Sequence, residues 1–244
     1  MCIRDRLYAT SKRVRALMRT LGGALPFMVT FKGDYAFTAA STAPFLRGLR
    51  ALHTFSCLKI LMMSRHPSNS IPARTITSTL LALDRVRTIE VLCLVGNKMR
   101  TPHAIAALSD FVALQQKLWS LNLSRTGVGA SLRAFCAAFS CQTKAERLYL
   151  RSAEVHLKRG RTTAPAASAL AQGAWFSSVF GSLRRLDLSG NNLASQMDAL
   201  LPVLVGLTGL TQLGLSDAHL KDGDGQFFFE MLAVSYTHLT LPTT

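Results

Sequence analysis

LRRLDLSGNNL, residues 183–193, decides the fold of this 244-residue chain. In an extended segment, successive side chains point to opposite faces, so Leu186 and Leu188 share one face while Arg185, Asp187 and Ser189 share the other. The leucine face is a core face and the opposite one is surface. Asn191 ends the stretch where the chain must turn, and its amide can both donate to and accept from the backbone groups a turn leaves open.

The same spacing, L-x-x-L-x-L-x-x-N/x-x-L, recurs on both sides of that stretch. It appears as LKILMMSRH from Leu58, IEVLCLVGNKM from Ile89, LWSLNLSRTGV from Leu118, AERLYLRSAEV from Ala145 and LTQLGLSDAHL from Leu210. Successive starts lie 31, 29, 27, 38 and 27 residues apart, and the long interval fits an insertion near residues 157–167, around LKRGRTTAPAA. A period in this range is the mark of a stacked repeat architecture, in which no unit buries its apolar face alone. Asn97 repeats the role of Asn191, whereas Thr126, Ala153, Ala218 and His66 replace it elsewhere, so a continuous asparagine ladder is not expected.

Helical spacing fills the intervals. TPHAIAALSDFVALQQ offers Thr101 as N-cap, Pro102 at the first helical position and Ile105, Leu108 and Val112 along one face. IPARTITSTLLAL, GASLRAFCAAF and PAASALAQGAWFSSVF continue the pattern. SQMDALLPVLVGL contains Pro202, which lacks an N–H and is expected to kink or shorten its helix. Strand followed by helix, many times over, implies an α/β solenoid: a curved horseshoe with parallel strands on the concave side and helices on the convex side.

These motifs resemble the leucine-rich-repeat family, and the long period with full helices resembles its ribonuclease-inhibitor-like subclass. The resemblance runs from about Leu58 to Leu220 and is most specific in SLRRLDLSGNNL; LPFMVTF from Leu25, followed by TAPFLRGLRAL, reads as a degenerate earlier unit. LWSLNLSRTGVG and WFSSVFGSLRRLDLSGNNL are also similar to the repeats of CARMIL-type proteins, cytoplasmic linkers of actin-capping protein. What the family implies is protein binding by an intracellular scaffold; the narrower likeness implies a regulator of actin assembly.

The two ends fit none of this. MCIRD and the first two bases of the Arg6 codon can be written ATG TGT ATA AGA GAC AG, whose reverse complement translates as VSYTH, the chain's own residues 234–238. That inverted repeat resembles the mosaic end of a transposase-based sequencing adapter, and LTLPTT fits its continuation. The expected organisation is adapter-derived sequence over 1–6, a degenerate N-terminal repeat region over 7–57, repeats over 58–232 and adapter-derived sequence over 233–244. The chain then reads as a fragment of a longer protein.

Lys and Arg outnumber Asp and Glu by 28 to 13, a formal charge of +15, which favours acidic partners and leaves a basic surface free to meet nucleic acid or acidic lipid non-specifically. No apolar run reaches the eighteen or so residues of a membrane span. Cys2, Cys57, Cys93, Cys136 and Cys141 form no C-x-x-C pair, so no metal is expected and reduced thiols of a cytoplasmic protein are. The histidines fall in different repeats, and Asp222 and Asp224 in KDGDGQ are too few for a calcium loop. No enzyme signature and no cofactor site emerge. Trp119 and Tyr149 do not amount to a base-stacking platform, Trp175 reads as core, and Lys158, Arg159 and Arg161 read as a solvated loop, so nucleic acid is not the favoured partner.

What remains is the outward face of the strands, taken as the candidate protein-binding surface. Its central positions are Met62, Val91, Cys93, Asn122, Arg147, Tyr149, Arg151, Arg185, Asp187 and Gln212. Early rows are apolar and later rows basic with one tyrosine, a composition enriched at binding hot spots. Asp187, between Arg185 and Arg151, reads as a charge neighbour rather than a catalytic acid.

Overall fold

The computed structural model describes residues 27–32, 58–64, 71–137, 144–155, 176–194 and 196–220. Among the described residues seven strands form one sheet in sequence order: β1 (Phe27–Lys32), β2 (Leu58–Ser64), β3 (Val91–Cys93), β4 (Ser120–Asn122), β5 (Arg147–Tyr149), β6 (Arg185–Asp187) and β7 (Gln212–Gly214). Every neighbouring pair is parallel. Parallel neighbours require a crossover, and helices provide it: α1 (Ala73–Ala82), α2 (Pro102–Ala113), a 3-10 turn (Val128–Ser131) running into α3 (Leu132–Ala137), a helical stretch at 176–180, and α4 (Met197–Gly206). This is the expected α/β repeat solenoid. β1 lies within the stretch read as the degenerate earlier unit; both adapter-like ends, the TAPFLRGLRAL stretch at 42–52, the insertion, Trp175 and Cys2, Cys57 and Cys141 lie outside the described residues.

Register aligns equivalent positions of each repeat. Leu61, Leu92, Leu121, Leu148 and Leu186 are successive partners across β2–β6, and each is fully buried. The other consensus positions stack the same way, for example Ile89, Leu118, Ala145, Leu183 and Leu210, all at 0–1 % exposure. Burying one leucine contributes roughly 2 kcal/mol relative to leaving it in water, and each is sealed by the repeat on either side. In the last described repeat Leu213, Leu215 and Leu220 are only partly covered.

α2 starts as read: the Thr101 side chain accepts from the Ala104 N–H, with Pro102 at the first position. α4 is not ended by Pro202: it runs on to Gly206, because its start at Met197 puts Pro202 in the second turn, where the missing N–H forfeits one internal bond while Leu200, Val203 and Leu204 hold the helix to the core.

Among the described residues, the turns leaving β3 to β7 come in two forms. Asn97 and Asn191 are buried, and each amide nitrogen reaches back one repeat as well as into its own turn: Asn97 donates to Met63 O (2.7 Å) and Leu94 O (3.1 Å), Asn191 to Leu150 O (2.8 Å) and Leu188 O (2.7 Å). Their Oδ1 atoms accept from the Ile71 and Val155 N–H groups. In these repeats one residue is left-handed, Gly96 or Gly190. Where Thr126, Ala153 or Ala218 stands instead, two are: Arg125 with Gly127, Ser152 with Glu154, Asp217 with His219. Without the long amide the backbone itself makes the second bend, at a cost of roughly 1 kcal/mol for each non-glycine residue held there.

Close approach fixes one further residue. Gly129 N donates to Ala153 O at 2.8 Å, and a Cβ at Gly129 would sit 2.5 Å from the Val155 backbone. Gly129→Ala is expected to cost about 2–3 kcal/mol and Asn191→Ala about 2–4 kcal/mol in chemical denaturation followed by circular dichroism, whereas Arg125→Gly is expected to be neutral or to gain up to about 1 kcal/mol. Burial also pushes the pKa of Cys136 well above the usual thiol range. Folding then keeps that thiol protonated while the unfolded chain ionises it near about 8.5, so its stabilisation is complete below that pH and declines as pH rises above it. Native Cys136 should resist iodoacetamide until the chain unfolds.

Candidate functional site

The outward side chains fall into rows across the sheet, and the rows can be read directly from register. Ile60, Val91, Ser120, Arg147, Arg185 and Gln212 are successive partners; so are Met62, Cys93, Asn122, Tyr149, Asp187 and Gly214. A third row is held by backbone bonds just past the strands: Arg125 N to Arg151 O (2.8 Å), Ser152 N to Ser189 O (2.8 Å) and Gly190 N to Ser216 O (2.7 Å). All ten expected positions therefore lie on one face. Arg147, Arg151, Arg185 and Gln212 are exposed, and Met62, Val91, Asn122, Tyr149 and Asp187 half-buried.

Cys93 is the exception. It faces outward in register yet is only 9 % exposed, because its short side chain stands between the longer Met62 and Asn122. Desolvation there raises its pKa, partly opposed by a backbone hydrogen bond at Val95, so it offers neither contact area nor a ready thiolate. Ser120, Ser124 and Ser189 are covered in the same way.

The cationic end of the face is ordered. The Arg185 guanidinium carbon lies 5.3 Å from the centre of the Tyr149 ring, and that of Arg147 lies 4.8 Å from the Trp119 ring. Each stack contributes about 0.5–1 kcal/mol and holds a long side chain in place. Trp119 was not among the expected site residues. Its signal was position: it occupies the first variable place of its repeat, beside Ser120, whose partner is Arg147. That place forms a row of its own, in which Lys59 pairs with Glu90 at 2.8 Å and Arg184 lies 3.9 Å from Glu146.

Asp187 and Asn122 play matching parts. Asp187 Oδ1 accepts from Ser189 N at 3.0 Å, and Asn122 Oδ1 accepts from Ser124 N at 3.1 Å, so each closes the turn after its own strand. Gly214, the partner of Asp187, leaves room for that carboxylate; a Cβ there would stand 2.8 Å from Oδ1. Asp187 is therefore a structural acceptor with a charge. Beyond the face, Arg100 crosses over Gly127 to pair with Glu154, linking two repeats across the one between.

Among the described residues no group of three His, Cys, Asp or Glu side chains is placed to hold a metal ion, and no helix is long and apolar enough to cross a membrane. Cys93 and Cys136 are free thiols. The arrangement offers a sheet face graded from apolar over β2–β3 to cationic and aromatic over β5–β6.

Arg147→Ala is expected to bare the Trp119 indole. In a Trp175→Phe background, iodide quenching of the remaining tryptophan should rise, with a stability loss of no more than about 1 kcal/mol. Unchanged quenching would show that the guanidinium does not cover the ring.

No protein-family model matches the chain, and no curated protein matches it in sequence. Among solved structures it is similar to the leucine-rich repeat-containing protein LegL7 from Legionella pneumophila, at 16 % identity and a TM-score of 0.51, over 96 % of this chain and 69 % of that one. It also matches actin-binding site 2 of leiomodin-1, at 12 % identity and a TM-score of 0.37, over 85 % of this chain and 86 % of that one. The C-terminal domain of Caenorhabditis elegans tropomodulin matches at 15 % and 0.37, over 80 % of this chain and 93 % of that one. Those two superpositions are too loose to carry an argument about this chain. The repeat register and the LegL7 likeness together identify the architecture as a leucine-rich-repeat α/β solenoid.

Proposed function

We propose that this chain is a protein-interaction scaffold that binds through the outward face of its sheet. The observation that carries the reading is the pair of ordered stacks, Arg147 on Trp119 and Arg185 on Tyr149, on a face otherwise built from repeats whose inner side is sealed core. Aromatic and arginine side chains held in place before contact lose little entropy on binding, which is what hot spots require. No metal-holding group of His, Cys, Asp or Glu competes with this reading among the described residues. The full helices α1 and α2 support placing the repeats in the ribonuclease-inhibitor-like subclass, and the free thiols Cys93 and Cys136 support a reducing, cytoplasmic setting.

A narrower version, a CARMIL-type regulator of actin-capping protein, rests on the resemblance of LWSLNLSRTGVG and SLRRLDLSGNNL to that family's repeats. Purified capping protein either binds the chain or it does not, and failure would remove this version alone.

Affinity capture with the chain and with Tyr149→Ala and Arg185→Glu, followed by titration of each purified candidate, tests the broader proposal. Saturable binding weakened at least about tenfold by either substitution is expected. Its rival is a basic surface that gathers nucleic acid or acidic lipid without selection. That rival would show itself as binding that follows net charge, ignores Tyr149→Ala and collapses as salt rises.

A further inference from the structure

Counting charges on the outward face shows an imbalance with a definite location. Arg147, Arg151 and Arg185 are exposed on β5, just past β5 and on β6, and none of them has an ion-pair partner among the described residues. The carboxylates nearby are engaged elsewhere. Glu146 lies by Arg184, Glu90 holds Lys59 and Glu154 holds Arg100. Asp187 already accepts the Ser189 N–H. Three guanidinium groups thus share the β5–β6 end of the face with one carboxylate, Asp187, and leave that end net cationic.

Two of the three are also preorganised. Arg147 and Arg185 are register partners on adjacent strands, so their backbones stand about 4.8 Å apart, and each guanidinium is steadied by an aromatic ring. Two planar forks side by side match a pair of carboxylates, each taken by paired N–H donors. In the same row, two and three strands away, stands Val91, and beyond it Ile60, both half-buried and apolar. Strand spacing sets Val91 about 10 Å from Arg147 and about 14 Å from Arg185.

We infer that the occupant of this face is an acidic protein segment whose carboxylates lie over β5–β6 and whose apolar side chains lie over β2–β3. The inference rests on the protein-binding reading above and adds the chemistry of the partner. Charge complementarity places the acid, the apolar rows place the anchor, and the gap between them fixes the separation. A segment crossing in extended form at about 3.3 Å per residue has its acids three to four residues from its apolar anchor. Nucleic acid would satisfy the arginines and leave Ile60, Met62 and Val91 without a complement, and an acidic bilayer would do the same.

Selection of random displayed peptides on the full chain, with counter-selection on Arg147→Glu/Arg185→Glu, tests this directly. The expected winners carry an apolar residue three to four places from paired Asp or Glu. Re-synthesised with a fluorophore, they should bind the charge-reversed chain at least about tenfold more weakly, and Arg147→Lys/Arg185→Lys, which keeps charge but loses the fork, at least about threefold more weakly. Circular dichroism confirms that each variant remains folded. Winners without acid that still need Tyr149 would overturn the inference and leave the protein-binding proposal standing. Absence of any winner, with a single-stranded RNA or phosphatidylserine vesicles bound instead, would overturn both.

Discussion

A three-residue strand cannot satisfy its own backbone, and this chain depends on that shortage. Just before β4, β5, β6 and β7, one carbonyl of the preceding repeat accepts two N–H groups from the next. Glu90 O takes Trp119 N and Ser120 N, Trp119 O takes Glu146 N and Arg147 N, Glu146 O takes Arg184 N and Arg185 N, and Arg184 O takes Thr211 N and Gln212 N. Both lone pairs of each carbonyl are thereby used. The double acceptance repeats at the same place in these four units, so it locks register, and register is what stacks leucine on leucine inside and residue on residue outside.

The inside and the outside answer to different rules. Within, buried side-chain amides finish what the main chain leaves open: Asn97 and Asn191 reach to the repeat before, and Gln115 joins Val86 O to Ile89 N. Leaving such groups unmade costs about 1–3 kcal/mol each, which is why an asparagine-free repeat takes a different turn rather than an unsatisfied one. Outside, position in the repeat decides partnership. The first variable place carries acids and bases that meet, as in Lys59 with Glu90, whereas the next carries arginines that meet rings. One row is therefore electrically closed and its neighbour open, and it is the open row that gives the face something to bind with.

Much of this could be read from residues alone, because the repeat is local and periodic. LRRLDLSGNNL showed by alternation that Leu186 and Leu188 are core while Arg185 and Asp187 are surface, and counting onward from each repeat start aligned Arg147 with Arg185 and Tyr149 with Asp187 before any coordinates. Thr101 and Pro102 marked the start of α2 for the same reason: a cap depends on neighbours within one turn. Pro202 shows the limit of such local rules, since burial along α4 outweighed the bond that the proline removes.

Sequence by itself determined the architecture, the inner and outer faces, and the membership of the candidate surface, since period and alternation need only the order of residues. Tertiary structure decided which of those outward side chains are usable. It covered Cys93 between Met62 and Asn122, spent an oxygen of Asp187 on the turn after β6, and brought Trp119 beneath Arg147. Each of these depends on how tall the neighbouring side chain is and which way it leans across a gap of one strand. Those are distances between repeats some thirty residues apart, and order along the chain does not contain them.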